Sequence, residues 1–93
     1  MADGFEWKDF SRYVEVHPVR TGWLVVWGRY ADAGAKKHIA GNRTYPDLAT
    51  ARRRVADAAM ELTHKPALVH EALQRFDRFS FPAHEPIERP DPL

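Results

Sequence analysis

The spacing of hydrophobic residues along this chain changes character once. Before about residue 45 they alternate with polar positions or run together, as strands require; from Leu48 onward they recur every three or four positions, as on one side of a helix. From Arg12 to His17, Val14 and Val16 point one way and Tyr13, Glu15 and His17 the other, which predicts a short strand stopped by Pro18. Pro18 to Gly22 carries the proline and glycine of a connecting turn. Trp23-Leu24-Val25-Val26-Trp27-Gly28-Arg29-Tyr30 then predicts a second strand on its aromatic and β-branched content. Ala31 to Ala35 reads as a hairpin loop, and Lys36 to Arg43 as a third, more polar strand that Gly41-Asn42 either ends or bulges.

Asp47 is placed to N-cap a helix whose stripe is Leu48, Ala51, Val55, Ala58, Ala59 and Leu62. Thr63-His64-Lys65 interrupts the stripe, and Pro66 suits the first turn of a second helix, where its missing N–H is no loss. Leu68, Val69, Ala72, Leu73, Phe76 and Phe79 line one side of that helix, with Glu71 and Arg75 paired at i, i+4. After Phe81, prolines at 82, 86, 90 and 92 exclude regular structure. The expected architecture is α+β: a three-stranded antiparallel sheet followed by two helices and an extended proline-rich tail. Residues 1–11, with Phe5, Trp7 and Phe10, form an N-terminal arm; residues 12–80 form one domain; residues 81–93 form the tail.

The second strand is apolar on both faces. Trp23, Val25 and Trp27 project one way; Leu24, Val26 and Tyr30 project the other. Such a strand expects cover above and below, and the first helix covers one face only. The lid on the other face is the second helix, a second copy of the chain, or a ligand resting on an aromatic and basic platform of Trp23, Trp27, Arg29 and Lys37. Burying one tryptophan contributes a few kcal/mol, at roughly 25 cal/mol per Å² over about 150–250 Å². That is comparable with much of a small domain's stability. Trp23, Phe76 and Phe79 are therefore interface candidates.

The composition, 44% hydrophobic and 29% charged over 93 residues, is that of a soluble globular domain. A chain of this length buries only about 60–65% of its unfolded surface, so a partner or a homodimer would add to a small core. The absence of cysteine excludes a disulfide framework, an iron–sulfur cluster, a thiolate zinc site and a cysteine nucleophile, and fits a cytoplasmic setting. Neither a run of roughly 20 apolar residues nor a basic, greasy leader is present, so no membrane role and no export are expected.

The net charge of +1 conceals a partition. Residues 1–19 hold two cations and four anions, residues 20–54 eight cations and two anions, and residues 55–93 four cations and seven anions. A basic middle between acidic flanks suits a polyanionic or acidic partner, or flanks folded back over the middle. Residues 22–62, GWLVVWGRY to GAKKHIAGNRTYPDLATARRRVADAAMEL, resemble the arm-type DNA-binding domain of tyrosine recombinases: a glycine-aromatic strand, a basic strand, and a threonine-aromatic step into an alanine-rich helix. The same order is similar to small bacterial β-β-β-α proteins, and the architecture looks like that of small phage anti-CRISPR inhibitors. The recombinase resemblance implies that the sheet meets DNA, through Arg29, Lys36, Lys37 and Arg43.

Lys36, Lys37 and His38 with Arg43 present alternate side chains that suit a phosphate track, or else protect an edge strand from unwanted pairing. Arg52, Arg53 and Arg54 point in three directions around a helix and cannot grip one backbone together; Arg53 is expected to pair with Asp57. Trp27 offers a surface for stacking on bases, or core packing. The five histidines lack a metal-binding spacing, and no nucleophile elbow, phosphate cradle or carboxylate pair is recognisable, so neither metal, cofactor nor catalysis is expected. The sequence reads as a non-catalytic binding module for nucleic acid. The alternative is a protein-binding inhibitor or adaptor, or a homodimeric interaction protein.

Overall fold

Four strands precede the two helices in the computed structural model, which describes residues 4–31 and 36–81. The elements are β1 (Phe5–Asp9), β2 (Arg12–Val19), β3 (Gly22–Ala31), β4 (Lys36–Tyr45), α1 (Leu48–Thr63) and α2 (Pro66–Arg78). The expectation of three strands is thereby corrected, because Phe5–Asp9, assigned to the arm, is a strand. Its residues alternate Phe5 and Trp7, both buried, with exposed Glu6 and Lys8, and it pairs antiparallel with β2. Residues 32–35 of the expected loop and 82–93 of the expected tail lie outside the described residues.

The sheet is antiparallel throughout in the order β1-β2-β3-β4. Pro18 does not end its strand. The β1 ladder stops at the Phe5–Val16 pair, so Pro18 has a strand neighbour on one side only, where a missing N–H is tolerated. Both expected helix starts are present. Asp47 accepts the Thr50 N–H at 2.8 Å, and Pro66 sits in the first turn of α2. His64, with φ 57°, closes α1 in the left-handed conformation, its N–H donating to the Met60 carbonyl at 2.8 Å.

Strand pairing arranges one face of the sheet in cross-strand layers: Pro18–Trp23–Tyr45, then Phe5–Val16–Val25–Arg43, then Trp7–Val14–Trp27–Gly41, then Asp9–Arg12–Arg29–His38. The helices pack on this face, α1 against β2, β3 and β4, and α2 against α1 and β1. Ala51, Val55, Ala58, Ala59 and Leu62 of α1 and Ala72 and Phe76 of α2 complete the core. The rings of Phe76 and Phe79 meet Phe5 edge-on, at 5.2 and 5.8 Å between centroids. β1 is thus what seats the second helix. Neither α2 nor anything else described lies over the opposite face, and the tryptophan side of β3 is the covered one. Among the described residues no helix is long and apolar enough to cross a membrane.

The β3–β4 ladder slips once: Trp27 pairs with Gly41 and Gly28 with Ile39, leaving Ala40 as the extra residue. The Trp27 indole lies directly across Gly41, where a β-carbon would overlap the ring. Gly41→Ala is therefore expected to lower the unfolding free energy by about 1–3 kcal/mol. The reading is a lower urea midpoint at unchanged slope, followed by tryptophan fluorescence.

Candidate functional site

The uncovered face of the sheet supplies its own cover. Register brings Glu6 opposite Glu15, two carboxylates that would repel if left alone. Each has its own donor: the Tyr30 hydroxyl donates to Glu6 at 3.0 Å, and the Lys37 ammonium donates to Glu15. His17 Nε2 lies 2.9 Å from the other Glu15 oxygen. Lys37 also stands 4.9 Å from the Tyr13 ring and 5.6 Å from the Tyr30 ring, while Lys8 stands 4.6 Å from Tyr30. The two tyrosine rings are 5.0 Å apart. Long stems and rings lying flat along the sheet leave Glu15 only 8% exposed without any helix above it.

Burial by itself would raise the Glu15 pKa, but hydrogen bonds from Lys37 and His17 outweigh it and hold the carboxyl below its ordinary value. The same hydrogen bond raises the Lys37 pKa. Burial, reinforced by the Glu15 charge, raises that of the Tyr13 phenol, whose oxygen has no hydrogen-bond partner among the described residues. Leu24 and Val26 are half-buried on this face and Ile39 is 59% exposed.

The helix-covered face ends in a different chemistry. Beyond the Trp7–Val14–Trp27–Gly41 layer, the next layer places Arg12, Arg29 and His38 side by side on three adjacent strands. Asp9 bridges Arg12 at 3.0 Å; Arg29 is exposed and enters no ion pair among the described residues. Arg43, opposite Val25 on the same face, is likewise exposed and unpaired. The Arg54 guanidinium lies 4.3 Å from the Trp27 ring and bonds Glu61 at 2.7 Å. Trp27 is clamped between this guanidinium and Gly41 rather than displayed.

Of the residues expected to bind, Arg29, Arg43 and Trp27 share one face, Lys36 pairs with Ala31 at the end of the hairpin, and Lys37 lies on the other face with Glu15. Trp23 and Phe76 are core residues, and Phe79 packs against that core. Arg53 does not pair with Asp57, whereas Arg52 grips Asp77 of α2 through two bonds of 2.8 Å. Arg12 was not anticipated; its signal is its register partner Arg29, visible only once β2 and β3 are aligned.

A cavity of about 380 Å³ lies between β1 and α2, lined by Phe5, Glu6, Arg75, Arg78 and Phe79, away from the cation layer. Among the described residues no group of three His, Asp or Glu side chains converges on a metal position. No family model, curated protein or solved structure matches the chain.

Because the Glu15 pKa is lowered by folding, its contribution is present above the ordinary carboxylate range and disappears as pH falls through the lowered value. Glu15→Gln is expected to cost about 1–2 kcal/mol at neutral pH. It should also flatten the acid side of the stability profile, as measured by urea unfolding between pH 7 and pH 3.

Proposed function

We propose that this chain is a non-catalytic nucleic-acid-binding module whose contact surface lies on the helix-covered face of the sheet, with Arg29 of the cation layer and Arg43, two layers away, as the principal phosphate ligands. The observation that carries this reading is the Arg12–Arg29 pair, opposed on neighbouring strands beside His38, in which Asp9 compensates Arg12 and no carboxylate among the described residues compensates Arg29. Like charges directly opposite one another on neighbouring strands destabilise a sheet. A polyphosphate removes that cost on binding and releases its own counterions. Arg12 and Arg54 are already paired with Asp9 and Glu61, which leaves Arg29 and Arg43 as the guanidinium groups on this face without an ion pair among the described residues. Lys36 lies at the same end of the sheet; Lys37, committed to Glu15, serves the fold. Contact through strands rather than a recognition helix agrees with what the recombinase resemblance implies.

A second reading, a protein-binding inhibitor or homodimer, draws on β4: it is an edge strand, and Ile39 on it is 59% exposed. One set of measurements separates the two. Under the nucleic-acid reading, affinity for a labelled polynucleotide falls steeply between roughly 50 and 200 mM salt. Arg29→Ala/Arg43→Ala lowers the slope of log K against log salt by about 2, one for each lost phosphate contact. A flat salt response, together with a stable dimer on light scattering, would favour the second reading.

A further inference from the structure

We infer that Phe10 is a base-stacking residue that makes this interface selective for single-stranded nucleic acid. The inference rests on the nucleic-acid reading above and adds the form of the ligand to it. Phe10 occupies the turn between β1 and β2 with φ 53°, in the left-handed region that a bulky side chain seldom adopts. Its side chain is 89% exposed, whereas Phe5 and Trp7 a few residues earlier are 3% and 2% exposed. It makes no ring contact among the described residues. The turn thus holds an aromatic group in a disfavoured backbone conformation and buries little of it, and both features weaken the free protein.

The turn is braced rather than loose. The Arg12–Asp9 ion pair spans it, and the Ser11 carbonyl accepts the Tyr30 N–H at 2.6 Å, tying its tip to β3 beside Arg29. The backbone that carries Phe10 is therefore held at the end of the sheet where Arg12 and Arg29 lie, with Phe10 two residues from Arg12 in sequence. An exposed apolar ring at the same end of the sheet as Arg29, which has no ion pair among the described residues, matches a ligand that joins π-faces to a phosphate chain. In a duplex those faces are stacked on one another and out of reach; in a single strand they are available, and stacking tolerates any base. An uncharged apolar pocket on a protein would accommodate the ring but not the Arg29 guanidinium at the same end of the sheet.

The test compares three labelled probes by fluorescence anisotropy: oligothymidylate of roughly 10–15 nucleotides, an abasic phosphate strand of the same length, and a duplex. The wild-type chain is expected to bind oligothymidylate more tightly than the other two. Phe10→Ala should weaken oligothymidylate binding by roughly 5- to 150-fold, leave the abasic strand unaffected, and leave the salt slope unchanged because no phosphate contact is lost. Phe10→Tyr should retain the preference. Phe10→Gly, which relieves the backbone, should melt no lower than wild type, showing that loss of binding is not loss of fold. If the wild type binds all three probes alike with a steep salt response, or if Phe10→Ala keeps the preference for bases, this inference fails while the nucleic-acid reading stands. If no probe binds at low salt, both fail together.

Discussion

One face of the sheet changes from apolar to cationic across a single cross-strand step, a distance of about 7 Å along the strands. The layer Trp7–Val14–Trp27–Gly41 is packed under helices, and the layer Asp9–Arg12–Arg29–His38 lies immediately beyond it. The rest of the molecule is arranged around that step. Helices are drawn onto the apolar layers because those layers hold three tryptophans and a phenylalanine that would otherwise face water. α1 alone does not cover β1, so α2 folds back until Phe76 meets Phe5. With both helices on one face, the other face must be made compatible with water by the side chains it already has.

It achieves this with charge. Glu15 is withdrawn from solvent, which costs desolvation, and the cost is offset only because Lys37 and His17 both reach its oxygens. The tyrosine rings beneath Lys37 and Lys8 add cation–π attraction and displace water from the strands. This arrangement explains why the basic character concentrated in residues 20–54 is not all available to a partner. Lys37, Arg52 and Arg54 are held by Glu15, Asp77 and Glu61, all from the acidic flanks, while Arg29 and Arg43 enter no ion pair among the described residues.

Much of the fold was legible because its signals are local. The density of β-branched and aromatic residues in β3, the Asp47 cap, Pro66 and the stripes of both helices each act within a few residues. β1 escaped because five residues with two apolar positions carry little periodicity, and because its turn to β2 runs through a left-handed Phe10 where glycine or asparagine would have announced it. Which face of β3 lies open was not local information: it depends on α2 docking against Phe5, a contact between residues some seventy positions apart. The candidate site was legible in part for a similar reason. Arg29 and Arg43 stand out in a basic segment, but Arg12, in a segment of net negative charge, joins them only through strand register, and the Ala40 bulge shifts which β4 residues face which way.

The placement of strain follows from the same step in the sheet. A small domain has a net stability of only about 5–15 kcal/mol, so opposed cations and an aromatic group in a left-handed turn are tolerable only where they do not disturb packing. Phe10, Arg12 and Arg29 sit past the last apolar layer, where no helix residue interdigitates with them in the core cluster. Their repulsion and exposure are thus decoupled from the contacts that hold Phe5, Trp7 and Val25 in place. The Arg12–Asp9 bridge and the Ser11–Tyr30 hydrogen bond brace this end of the sheet in place of a packed core. A surface that is preorganised and incompletely neutralised in the free state needs little reordering to meet a negatively charged chain, and so loses little affinity to the ordering of its own side chains.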